Sequence, residues 1–89
     1  MAIYCVGYDL IKGKDYTKLI DKLKSYGTYA RAQGSLWFIK SSKSASYIRD
    51  ELKGATDDDD KIIVIKVTLP WASLNLSKDV NDWLKDMDF

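Results

Sequence analysis

Two hydrophobic periods alternate along this chain in a fixed order, and that order limits the available folds more than any other feature. Apolar residues that recur at every second position, or run unbroken, mark extended backbone, and spacing at i, i+3, i+4, i+7 marks a helix. Residues 2–8, "AIYCVGY", are a nearly uninterrupted apolar run bounded by Asp9 and the "IKGK" loop, the pattern of an interior strand. Tyr16, Leu19, Ile20 and Leu23 then fall at helical spacing among Lys18, Lys22 and Lys24, with Asp15 placed as the N-cap and Gly27 as the stop. "TYARAQ" alternates, Gly34 offers a turn and "SLWFIK" continues, so residues 28–40 read as a hairpin. Ser42 or Ser44 can cap a helix carrying Ala45, Ile48 and Leu52 on one face and ending at Gly54. The β-branched run "KIIVIKVTL" follows, closed by Pro70. Ser77 then caps "KDVNDWLKDM", with Val80, Trp83, Leu84 and Met87 at helical spacing.

The succession β-α-β-β-α-β plus a short C-terminal helix predicts an α+β, ferredoxin-like fold with an antiparallel sheet of order 4-1-3-2 and helices on one face. A length of 89 residues allows one domain over 1–89, with its core in 1–69 and a C-terminal extension and helix in 70–89. Strands one and three are expected to share a direction, which sets Asp9 at the same end as Lys40 and Ser41 and puts the 33–35 turn at the other. The last strand is apolar on both sides, with Ile63, Ile65, Val67 and Leu69 on one and Ile62 and Val64 on the other. Helices cover one face, so the second apolar set points to a homodimer.

Composition excludes several chemistries. Histidine is absent and Cys5 is the only cysteine, which removes Ser-His-Asp and Cys-His catalysis, histidine acid-base chemistry and zinc clusters within one chain. An intrachain disulfide is impossible for the same reason. Chemistry is left to Asp, the lone Glu51, Lys, Arg, Ser and Tyr. The net charge of +1 conceals an asymmetry: residues 1–53 hold ten basic against five acidic side chains, and residues 54–89 hold four against eight. A basic face able to meet phosphate is compatible with that division. "MAIYCVGYDL" lacks a basic n-region and no run approaches a membrane span, so the expected location is cytoplasmic, with no membrane partner.

Asp9, delivered by a strand to the rim of its sheet, is the leading candidate for a catalytic and metal-binding group. Magnesium takes one or two carboxylates plus waters and phosphate oxygens, so a single aspartate suffices only where a dimer axis brings two together. The competing reading makes Asp9 the acceptor of backbone N–H groups in the following loop. Lys12 and Lys14, flanking Gly13, offer a cationic loop beside it. Arg31, Gln33 and Ser35 cluster polar groups at the hairpin turn, with Arg suited to bidentate phosphate contact. Lys40 completes the set of candidate nucleic-acid contacts. Trp37, Trp71 and Trp83 read either as base-stacking surfaces or as core anchors. "DDDDK" at 57–61 lacks the spaced ligands and glycine of a calcium loop and reads as a solvated turn.

A first strand ending in "YD", then a helix, then "R-x-Q-x-S" entering the third strand, resembles the small CRISPR-associated adaptation subunit and its VapD ribonuclease relatives. "YDL", "GKDY", "S-x-W" and the tail "WASLNLSKDVNDWL" are most similar to the shorter SinR-like branch. The resemblance spans nearly the whole chain. It implies a dimeric ferredoxin-like protein acting on nucleic acid, with Asp9 at the position of the metal-binding aspartate of magnesium-dependent endonuclease members, and Arg31, Gln33 and Ser35 at the hairpin positions. The chain departs from the nuclease pattern at Phe38, where an acidic residue tends to follow the aromatic. A non-catalytic dimeric adaptor, joining nucleic acid or a protein partner through its sheet face or through Trp71, Trp83 and Met87, is the alternative.

Overall fold

The computed structural model describes residues 1–9 and 16–89, and its elements follow the periodicities. They are β1 (Ala2–Tyr8), α1 (Thr17–Lys24), β2 (Tyr29–Gln33), β3 (Leu36–Ser41), α2 (Ala45–Lys53), β4 (Ile62–Val67) and α3 (Lys78–Asp86). The Asp15 cap and the Lys12–Gly13–Lys14 loop lie outside the described residues. Tyr16 stands at the N-cap position of α1. The other two helices start on serines: the Ser44 hydroxyl accepts the Tyr47 N–H at 3.1 Å and the Ser77 hydroxyl that of Val80 at 3.3 Å. Each satisfies a donor that the first turn leaves unpaired. Gly27, two residues past the end of α1's cap, takes φ +92°, a conformation that side-chain-bearing residues rarely adopt.

The four strands form one sheet of order β2-β3-β1-β4 with every neighbouring pair antiparallel. The pairing corrects one expectation. Ala2 lies opposite Ser41 and Gly7 opposite Leu36, so β1 and β3 run in opposite directions. A crossover through α1 returns β2 parallel to β1, and the hairpin then reverses the chain, so β3 must oppose β1. Asp9 therefore sits at the hairpin-turn end of the sheet, where the Tyr8 N–H donates to the Ser35 carbonyl at 3.1 Å. Lys40, opposite Ile3, lies at the other end.

Alternation along the strands divides the apolar residues between two layers. Tyr4, Val6 and Tyr8 of β1 and Trp37 and Ile39 of β3 meet Leu19 and Leu23 of α1 and Ile48 and Leu52 of α2 in the main core, flanked by Ile62 and Val64 of β4. The two interior helices cover this face, as expected. The terminal helix takes the opposite face: Val80 and Leu84 of α3 pack with Ala30 of β2, and Ala32, Phe38, Trp71 and Trp83 close around them. That cover is centred on the β2–β3 half, and Ile3 of β1 is buried on the same face. On the β1–β4 half, Ile63 and Ile65 remain 58% and 51% exposed. Among the described residues, no helix is long and apolar enough to cross a membrane.

Two outcomes test this packing. Leu52, fully buried between α2 and the sheet, is expected on mutation to Ala to lose about 2–5 kcal/mol in denaturant unfolding, the range for emptying a well-packed leucine site. Burial, then the hydrogen bond it donates to Glu51 at 3.0 Å and that group's charge, push the Tyr26 phenol above its ordinary value of 10.0. The folded chain thus holds the phenolic proton more tightly than the unfolded chain, a contribution that is complete below pH 10 and lost as pH rises through the raised folded value. Urea titrations from neutral pH upward should show stability falling above pH about 10, with a shallower fall in Tyr26→Phe.

Candidate functional site

Strand alternation aims Tyr4, Val6 and Tyr8 into the main core, so Cys5, Gly7 and Asp9 point to the other face. The main chain at Asp9 is held on both sides. Its N–H donates to the Lys61 carbonyl at 3.1 Å, and its carbonyl accepts the Tyr16 hydroxyl at 3.1 Å. The same hydroxyl reaches Asp60 Oδ1 at 3.3 Å. The carboxylate itself stays at the surface, with its side chain 68% exposed and Lys61 Nζ 3.9 Å from Oδ2. An exposed pair at that distance contributes little to folding, so both groups stay available to an incoming ligand. Gly7, Tyr8, Asp9, Lys61, Ile62 and Ile63 line a shallow hollow at this rim. A Cβ at Gly7 would meet Ile63 Cγ2 at 3.3 Å, so the glycine keeps the hollow's floor open.

A hydrogen-bonded lock fixes the neighbouring hairpin. The buried indole N–H of Trp37 donates to the Tyr8 hydroxyl at 3.1 Å, and that hydroxyl donates to the Gly34 carbonyl at 3.1 Å. Arg31 Nη2 donates to the same carbonyl at 2.9 Å, and its guanidinium lies 5.2 Å from the centre of the Trp37 ring. Arg31 therefore closes the turn and packs on the indole, an arrangement that a lysine could not reproduce. Gln33 is exposed at the tip, and Ser35 contributes its carbonyl to Tyr8.

The antiparallel register thus gathers Asp9, Arg31, Gln33 and Ser35 at one end of the sheet. Lys40 is the described candidate left at the other end, and Lys12 and Lys14 lie outside the described residues. Sequence reasoning missed Lys61, Tyr16 and Asp60. The signal was available for Lys61: in an antiparallel β1–β4 pair with Tyr8 opposite Ile62, residue 61 must fall beside residue 9. "DDDDK" is a turn with Asp57, Asp58 and Asp59 exposed, and within it the Asp60 carboxylate accepts from Tyr16 and from the Asp57 N–H, the latter at 2.9 Å. Trp37 and Trp83 act as anchors: the first is buried in the main core, and the second donates to Thr28 Oγ1 at 2.8 Å and stacks on Phe38. Burial pushes the Cys5 thiol up, which keeps it protonated and weak as a nucleophile.

Among the described residues no three His, Cys, Asp or Glu side chains converge as a metal cage. Among the described residues the exposed carboxylate at this rim is that of Asp9, with Asp60 hydrogen-bonded to Tyr16 beside it, a set that fits an ion drawing its other ligands from water, phosphate and a second carboxylate. No curated protein and no solved structure matches the chain. A family model described as CRISPR associated protein Cas2 matches residues 1–73, which takes in all four strands and the two interior helices. Sheet order and a match over most of the sequence lead to one conclusion: this chain belongs to the CRISPR-associated Cas2 family.

Proposed function

We propose that the chain is a CRISPR adaptation subunit of the SinR-like branch that works as a homodimer on nucleic acid, its two Asp9 carboxylates meeting across the dimer axis to hold magnesium for phosphodiester cleavage. The observation that carries this reading is the continuity of two surfaces. Asp9, exposed at its rim, lines the same hollow as Ile63, and Ile65 extends the apolar stripe along β4. A two-fold axis that buries the isoleucines draws the two rims together, and the two Asp9 carboxylates then face one another.

When bound there, magnesium supplies polarisation of a phosphate oxygen and a water acidic enough to attack phosphorus. The chain's own groups supply position. Hydrogen bonds to the Asp9 main chain from Tyr16 and to Lys61 hold the carboxylate's root. Lys61, 82% exposed beside Asp9, offers an ammonium to the scissile strand. Gln33 and the Lys12 and Lys14 loop extend the phosphate contacts. Arg31 serves chiefly by keeping the hairpin tip in place through Gly34 and Trp37.

Exposure of Leu69 (62%) and Leu74 (84%), in the segment between β4 and α3, favours a second reading in which the dimer is a non-catalytic adaptor that docks a protein partner there.

Cleavage of labelled single- and double-stranded RNA and DNA, with magnesium or with EDTA, separates the two. Asp9→Ala is expected to lower magnesium-dependent cleavage by more than the roughly 10–100-fold that loss of a supporting group costs, with the dimer intact by sedimentation. Unchanged cleavage in that variant removes Asp9 from the chemistry. Ile63→Asp with Ile65→Asp should yield a folded monomer that has lost cleavage as well, and a monomer of full activity would end the paired-carboxylate reading.

A further inference from the structure

β4 ends the sheet on one side, so one of its two hydrogen-bonding rows faces no neighbouring strand. Two bonds fix which row that is. The Asp9 N–H turns toward β4 and donates to the Lys61 carbonyl, whereas the Tyr8 N–H turns the other way and donates to that of Ser35. Antiparallel ladders alternate in this manner along the chain. Lys61, Ile63, Ile65 and Val67 therefore direct their main-chain groups to β1, and Ile62, Val64 and Lys66 direct theirs outward. Among the described residues, none of these three has a backbone partner beyond the sheet. Bulges, prolines and charges blunt the edges of most apolar strands. β4 instead keeps a regular register with β1 over six residue pairs and carries one charge among its residues, that of Lys66.

A groove runs beside this edge. One flank of α2 faces α1, where Glu51 meets Lys22 at 3.2 Å. On the other flank, Ala45, Ser46 and Arg49 enclose a hollow of about 350 Å³ with residues 62–64 of β4. It continues past Arg49 and Lys53 to Asp57, Asp58 and Asp60, at the end where β4 begins. The charges along the groove are therefore polarised. Arg49 pairs with its exposed neighbour Asp50 at 3.0 Å, which contributes little, and among the described residues neither Lys53 nor Lys66 has a carboxylate partner. A second copy paired antiparallel along the edge and centred on Val64 would set each Lys66 opposite the other copy's Ile62, beside its Arg49. That arrangement brings like charges together. A strand with an acid in that place and a base at the aspartate end meets attraction at both.

We propose that this edge docks an extended segment of a partner protein, which joins the sheet as a fifth strand antiparallel to β4. The N-terminal part of that segment carries a carboxylate for Lys66 and Arg49. Apolar side chains at the next alternate positions lie over Val64 and Ile62, and a basic residue at its C-terminal end faces the Asp57–Asp60 turn. Main-chain hydrogen bonds to Ile62, Val64 and Lys66 supply affinity, and the groove's side chains supply choice. Neither Asp9 nor cleavage enters this inference.

The probe is a fluorescein-labelled peptide with glutamate near its N-terminus, valine at alternate positions and lysine at its C-terminal end. It is titrated against the full chain by fluorescence anisotropy, with amide exchange followed by NMR. Saturable binding and slowed exchange at the Ile62, Val64 and Lys66 amides are expected. Lys66→Pro removes an outward N–H and leaves the donors to β1 in place, so it should abolish binding without changing the far-UV circular dichroism. Arg49→Glu, at the surface, keeps the test open if the proline disturbs the strand. It should weaken binding about tenfold, by a lost attraction and an added repulsion. A peptide with lysine in place of the glutamate should bind Arg49→Glu better than it binds wild type. Lys24→Glu, exposed on α1, is expected to bind as wild type. Absence of binding by the wild type, undiminished binding by either groove variant, or an equal loss in Lys24→Glu would overturn the proposal. If the edge amides of the peptide-free chain already exchange slowly, and sedimentation shows an association that Lys66→Pro abolishes, a second copy occupies the edge and the partner-strand proposal falls.

Discussion

Everything at the candidate site depends on the central position of β1, hydrogen-bonded to β3 on one side and β4 on the other. Because both pairings are antiparallel, the end of β1 meets the start of β4 and the hairpin before β3. Three stretches far apart in sequence therefore supply one rim: Asp9 from the first, Lys61 from the last, and the Arg31–Gly34–Ser35 turn from the middle. A slip of one residue in either register would turn Asp9 toward the helices and expose Tyr8. The Trp37–Tyr8–Gly34 chain of hydrogen bonds opposes such a slip, since the buried indole N–H of Trp37 would lose its partner.

Coverage of the sheet is uneven, and the unevenness bears on function. Two helices complete one face, whereas the cover that α3 gives the other is centred on the β2–β3 half. The amphipathic pattern around Val80 and Leu84 shows that α3 must bury a stripe, but the target of that stripe is chosen by the small residues Ala30 and Ala32 on β2, which let the helix approach. What stays open is the part of β4 around Ile63 and Ile65, next to the Asp9 rim. In the proposed homodimer, this is the surface that a second subunit would cover.

The interior elements were legible because each has one dominant period and clear punctuation. Ser44 and Ser77 cap where their positions suggest, and the apolar stripe Leu19, Leu23, Ile48, Leu52 is the helix side of the core. The roles of Arg31 and Lys40 were not legible. Arg31 reads as a phosphate ligand until Trp37 is seen beneath it, because cation–π packing joins residues on neighbouring strands. Lys40 was assigned to the wrong end through the direction given to β3, and correcting the direction moves it away from the Asp9 rim. Tyr16 and Asp60 went unnoticed because the hydrogen bond between them joins residues 44 positions apart.

By itself, then, the sequence determined the order and type of the elements, the Ser44 and Ser77 caps and the excluded chemistries. These follow from local periodicity, from capping hydrogen bonds within one turn, and from which functional groups exist at all. Only the tertiary structure decided which groups stand together: Asp9 with Lys61 and the hairpin, Arg31 against Trp37, and Lys22 with Glu51 at the far end. The physical reason is that strand direction and register are set by hydrogen bonds between residues distant in the chain, and period alone does not specify their partners.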